Sequence, residues 1–198
     1  MKSRNNQEVE IFGFGVPASD CYLHPGHSWA VLEDTGEVRV GLDAFSQKIF
    51  GPADEVKLPD LGKTYYQDHI CLSLVRQGRK ASFLAPVDGA ITAINPKVRE
   101  NPRLIHNDPF GAGWLFKVWP INLQRNLTNL FSGDATADWM HQESHRLINL
   151  MESEVGVTGP DGGTIIDDVY GNYPQLGWRP LVQEFLLTSL TREWKKKS

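Results

Sequence analysis

The chain has 198 residues, 40% of them hydrophobic and 22% charged, the proportions of a folded globular protein rather than a disordered one. A formal net charge of −4 lacks the basic surplus of a nucleic-acid binder, and no run reaches the roughly 18 apolar residues that a membrane-spanning helix needs. Cys21 and Cys71 form no C-x-x-C pair and the opening MKSRNNQEVE has no apolar block, so the expectation is a cytoplasmic protein with free thiols and neither nucleic-acid nor membrane partners.

In chain order, Ile11–Ala18 is Gly-rich and apolar and reads as a surface strand or arm. Trp29–Leu32 and Val38–Gly41 flank the turn signal Glu33-Asp34-Thr35-Gly36, which predicts a β-hairpin. A short helix follows between Asp43, a cap, and Gly51, a terminator, with Phe45, Ile49 and Phe50 as its apolar side. Glu55–Pro59 reads as a strand and Leu61-Gly62-Lys63 as a turn. His69–Val75 and Ala81–Leu84 flank the polar tip Arg76-Gln77-Gly78-Arg79-Lys80, a second hairpin. Pro86-Val87-Asp88-Gly89 is a tight turn and Ile91–Ile94 a strand. Asn95–Gly113 is expected to be an irregular loop, and Trp114–Trp119 the last strand.

Beyond Pro120 the periodicity becomes helical, through Leu123, Leu127, Leu130 and Phe131. A longer helix is predicted from Ala135 to about Glu152, with Trp139, Met140, Leu147, Ile148 and Met151 on its apolar face. Residues 158–163 break it, and a final amphipathic helix is expected from Arg179 to about Lys195. The basic run Lys195-Lys196-Lys197 would complement the dipole of that helix. The division is therefore an arm over 1–19, a β-rich domain over 20–120 and a helical extension over 121–198.

The β-rich domain resembles the H-protein of the glycine cleavage system. The resemblance is carried by Tyr22 with His27-Ser28-Trp29, by Val40–Gln47 with Gly51, by Leu58-Pro59-x-x-Gly62, by Ala85-Pro86-Val87-Asp88-Gly89, and by Asn95-Pro96, Asn101-Pro102 and Asn107–Leu115. These motifs stand in order at nearly gap-free spacing over about half the chain. The resemblance implies an α+β, mainly β fold: a lipoyl-type flattened barrel of two antiparallel sheets, here with a C-terminal helical extension. It also implies a carrier rather than an enzyme. In that family a lysine on a hairpin tip holds lipoic acid, and the arm carries an intermediate between other proteins at high effective concentration.

In this chain the position that corresponds to that lysine is Gly78. It lies sixteen positions after Gly62 and seven before Ala85, as the family spacing requires. Glycine offers no amine, so no cofactor is expected; lipoate would attach only if Lys80, two residues on, took the arm. Arg76, Arg79 and Lys80 put three positive charges at the apex, a candidate docking surface for an acidic partner. The expected function is a non-lipoylated interaction module that docks to a multienzyme or redox complex, with glycine cleavage or redox enzyme subunits as partners. The alternative is an active carrier in glycine decarboxylation, lipoylated on Lys80. Composition does not define an oligomeric state.

Other constellations are weaker. His141 and His145 stand at i, i+4, but a polar helix face explains them better than zinc. His24 and His27 near Cys21 invite a metal, yet the resemblance makes His27 structural. Cys71 reads as a core residue, and Cys21, in a loop, as the more reactive thiol. Asp161-Gly162-Gly163 with Asp167-Asp168 fits a cation no better than a plain loop. No metal and no catalytic set is expected.

Overall fold

The computed structural model describes residues 8–11, 13–17, 20–156 and 164–187. Two antiparallel sheets form the body. The larger has six strands: β3 (Cys21–Leu23), β4 (Ser28–Leu32), β5 (Val38–Leu42), β7 (Thr64–Tyr65), β10 (Gly89–Ile94) and β11 (Phe116–Pro120), in the order β3-β4-β5-β11-β10-β7. The smaller contains β6 (Glu55–Lys57), β8 (Ile70–Arg76) and β9 (Arg79–Leu84), in the order β6-β8-β9. Trp29, Val40, Leu42, Phe116 and Val118 from the first sheet share one buried core with Leu72, Leu74, Ala81 and Phe83 from the second. A two-stranded hairpin pairs β1 (Glu8–Ile11) with β2 (Phe14–Pro17); β2 lies in the segment expected as a surface strand or arm, and β1 begins before it.

Local chemistry explains the connections. Asp43 caps α1 (Ala44–Phe50) by accepting from the Ser46 amide at 2.9 Å, and Gly51 ends it at φ 64°. The predicted β4–β5 hairpin forms in register, Leu32 opposite Val38. β6 stops before Leu58-Pro59, and the two-residue strand β7 lacks the length to show in a sequence pattern.

The expected irregular loop 95–113 instead contains α2 (Pro96–Glu100) and α3 (Arg103–Asn107). Each is only five residues, too short for a periodic signal. Asn95 caps α2 through the Lys97 amide with Pro96 in its first turn, and burial of Val98 and Ile105 supplies the packing that propensity does not. The helix expected across 123–131 ends early, as α4 (Leu123–Leu127). Phe131 leaves it to form a β-bridge with Leu23, each amide donating to the other's carbonyl at 2.8 Å.

The long helix α5 (Asp134–Val155) buries Trp139, Met140, Leu147 and Met151, as its spacing predicts. The chain resumes with α6 (Val169–Asn172), a 3₁₀ turn at Pro174–Leu176 and α7 (Trp178–Leu181), which opens into a π-type turn at Val182–Leu186. Residues 157–163 and 188–198 lie outside the described structure, so the expected break, the end of the final helix and the terminal lysines are not described. Phe185, Leu181 and Leu186 are fully buried, and the π-type turn packs on β9. Cys71, Leu72, Ser73 and Leu74 are buried in succession, so both faces of β8 are covered. Among the described residues no helix is long and apolar enough to cross a membrane.

Candidate functional site: the β8–β9 apex

The hairpin between β8 and β9 is tighter than the sequence suggests. Arg76 pairs directly with Arg79, so the turn is only Gln77-Gly78. Gln77 has φ 48° and Gly78 φ 74°. Two consecutive left-handed residues are what a two-residue hairpin turn needs to match the twist of its strands. Arg76, Arg79 and Lys80, expected at a polar tip, are strand residues. No atom comes within 4 Å of a Cβ built on Gly78, so the apex itself projects into open space.

The flank of the hairpin is occupied. Arg76 is only 15% exposed. Its guanidinium donates to both carboxylate oxygens of Asp168, at 2.5 and 2.6 Å, and to the Phe50 carbonyl at 2.7 Å. Burial alone would raise the Asp168 carboxyl. The guanidinium of Arg76 and the Gly171 amide outweigh that and hold it below the usual carboxylate range. Arg79 lies over the Tyr170 ring at 5.7 Å, and the Trp178 indole N–H donates to the Lys80 carbonyl at 2.9 Å. The Gln77 amide donates to Asp54 at 2.7 Å. A cleft of about 440 Å³ remains between Gln77, Arg79, Tyr170 and Asn172. Of the three apex cations in the sequence reading, Arg76 is thus committed within the chain, while Arg79 and Lys80 remain exposed.

The strongest electrostatic cluster is elsewhere. His27 is fully buried, with Nδ1 2.7 Å from Asp43 and Nε2 3.6 Å from Glu143. It stacks on Phe45 at 4.4 Å and packs against Trp139 at 5.0 Å. Burial by itself would expel the proton. The charge and hydrogen bond of Asp43, with Glu143 behind them, reverse that and push the pKa up to about 9. The imidazolium so held is a strut, since its ring is closed off from solvent. Glu143 also receives Arg146, which reaches on to Glu184 at 2.5 Å.

His141 and His145 are exposed on α5, and among the described residues no group of three potential ligands could hold a metal. His24 bonds Asp68 at 2.8 Å. Cys21 was expected in a loop but lies in β3, 5% exposed; burial first, and the charge of Asp43 second, push its thiol far up. Burial raises the Cys71 thiol likewise. Asp167 and Asp168, weighed for a cation, are taken by His106 and Arg76. The sequence reading missed Asp168, Tyr170 and Trp178 as neighbours of the hairpin. Asp168-x-x-Gly171 carried a local signal as a helix cap, but nothing local announced its link to Arg76.

Comparison with known proteins locates this arrangement. The family model described as glycine cleavage H-protein matches residues 21–143. The glycine cleavage system H protein of Psychrobacter cryohalolentis is 36% identical over 109 residues, 54% of this chain and 85% of that protein. That of Aeromonas salmonicida is 31% identical over 125 residues, 63% of this chain and 96% of the other. A crystal structure of a glycine cleavage system H protein from Mycobacterium marinum superposes with a TM-score of 0.56 at 27% identity, over 63% of this chain and 98% of that one.

Proposed function

The chain belongs to the glycine cleavage H-protein family, a family of carriers rather than catalysts, and from that premise we propose that it works without a lipoyl arm, as a docking module for a multienzyme or redox complex. The observation that carries this reading is Gly78. The apex position that corresponds to the family's lysine has no side chain, and the two-residue turn around it is complete as it stands. The residues at the apex do not fit a lipoyl group at the family position. What the apex offers instead is surface: Arg79 and Lys80 beside Tyr170, a cationic and aromatic edge suited to an acidic segment of a protein partner. Subunits of the glycine cleavage system or of a related redox assembly are the partner class. The setting is the cytoplasm, in keeping with two cysteines that are free and buried.

The test is intact mass after co-expression with a lipoate ligase. An unmodified chain is expected. A lipoyl increment that disappears in Lys80→Ala would replace this reading with a carrier that attaches its arm at Lys80. Capture of glycine cleavage subunits by the unmodified chain, lost in Arg79→Glu/Lys80→Glu, would support docking at the apex.

A further inference from the structure

We propose that residues 164–187 are a built-in cap that closes the β8–β9 hairpin to any enzyme that must grip it, so that restoring a lysine at position 78 would not by itself restore arm attachment. The inference rests on the reading of Gly78 as the erased attachment point. It adds a second, independent barrier, located in a different part of the chain.

Three contacts build the cap, on Arg76 and Arg79, which flank the turn, and on Lys80 next to them. Asp168 takes the guanidinium of Arg76 through both oxygens, a bidentate geometry with strong directional preference. Tyr170 lies under Arg79. Trp178, 9% exposed, donates its indole N–H to the Lys80 carbonyl. That carbonyl is part of the β9 backbone, two residues beyond Gly78. Tyr170 and Trp178 pack edge to face at 5.0 Å, and Trp178 meets Phe50 at 5.0 Å, so the cap is continuous with the core under α1. Phe185 and Leu186, fully buried, anchor the segment from behind. Asp168 sits at φ 55°, a conformation that costs a non-glycine residue free energy and persists where its surroundings impose it. Here it lets one carboxylate cap α6 through the Gly171 amide and clamp Arg76 together.

The cap leaves the tip itself free, with nothing within 4 Å of Gly78. A lysine there would reach solvent but stand on a hairpin whose flank is already covered. Attachment joins the lipoate carboxyl to the lysine Nζ as an amide, with ATP cleaved to AMP and pyrophosphate by the ligase. Its rate scales with the fraction of molecules whose hairpin is open.

The experiment compares Gly78→Lys in the otherwise unchanged full chain with Gly78→Lys in an Asp168→Ala/Trp178→Ala background. Each is incubated with a lipoate ligase, lipoate and ATP, and followed by intact mass and peptide mapping. Slow modification of the first, and modification of position 78 faster by about tenfold or more in the second, is the expected result. Equal rates overturn the cap while leaving the docking reading intact. Failure of both variants to be modified also overturns it, because the barrier would then lie in the hairpin's own sequence. Modification of the unsubstituted chain at Lys80 would sink both ideas at once. Near-UV circular dichroism checks that the β-body stays folded. If the alanine pair loses that signal, Asp168→Ser/Trp178→Phe removes the bidentate Arg76 pair and the indole hydrogen bond while keeping a capping oxygen and an aromatic ring, and the same ordering of rates is expected.

Discussion

His27 and Glu143 meet at 3.6 Å inside the protein, one just before β4 and the other in the middle of α5. With Asp43 on the other ring nitrogen, the imidazolium is the charge that ties α5 to the sheets. A buried ion held this way stabilises only while both partners are ionised, and removing one leaves the other uncompensated.

The first prediction concerns alkaline pH. The folded pKa of His27, about 9, lies above its ordinary value of 6.5. Its contribution is therefore complete below about 6.5 and is lost as pH rises through about 9. Urea midpoints measured from pH 6 to 10 should fall over that interval in the natural chain. In His27→Gln the fall attributable to this group should vanish, and the variant should be weaker at neutral pH by about 3 kcal/mol. Parallel pH profiles for the two proteins would disprove the buried imidazolium.

The acid side is set by Glu143. Burial would raise its carboxyl, but the nearby charge of His27, with Arg146 adding to it, holds it below the usual range. Its contribution is present above the ordinary carboxylate value and is lost as pH falls through the lowered pKa. Glu143→Gln should therefore flatten part of the acid limb of the same profile. At neutral pH it should cost about 2 kcal/mol, as expected when a charged partner of a buried group is neutralised.

Much of this could be read from the chain alone, and the boundary is physical. The β4–β5 hairpin, α1 with its Asp43 cap, the β8–β9 hairpin and α5 announce themselves because turn chemistry, caps and apolar spacing act over a few residues. The place of Gly78 in a hairpin turn was legible because β-type runs flank a polar, Gly-containing tip. Helices α2 and α3 were not, because five residues hold less than two turns of pattern and owe their form to the burial of Val98 and Ile105. The cap was invisible for a stronger reason. The Arg76–Asp168 pair spans two segments whose local signals, a hairpin and a helix start, say nothing about each other. Cys21 was misjudged likewise, since a three-residue edge strand looks like a loop until its pairing with β4 is known.

Two glycines should respond unequally to alanine. A Cβ on Gly41 would come within 2.3 Å of the Trp29 indole, itself fully buried. Nothing there can yield cheaply, and overpacking should cost about 3 kcal/mol, or roughly 10 °C in melting temperature. Gly78→Ala meets no neighbour and is penalised only for its positive φ, about 1 kcal/mol. Thermal melts of the two variants should separate clearly. Equal shifts would mean that Trp29 does not lie over the Gly41 backbone.

The last prediction tests burial of the thiols. Cys21 and Cys71 are 5% and 7% exposed, and burial pushes both thiols well above their ordinary pKa. The thiolate is the reactive form, so both depletion of thiolate and lack of access slow the reaction. Attack by a disulfide reagent at pH 8 must then wait for local opening, and should run about a hundredfold slower than on a free thiol. In denaturant both should react at once, giving two equivalents. Among the described residues, Cys21 lies in β3, an edge strand paired with β4 and bridged at Leu23 alone to Phe131, whereas Cys71 lies in β8 between β6 and β9. Edge strands open at lower free energy than central ones, so Cys21 should be labelled first. Rapid labelling of Cys71 in the native protein would show that the cover over β8 is not closed in solution.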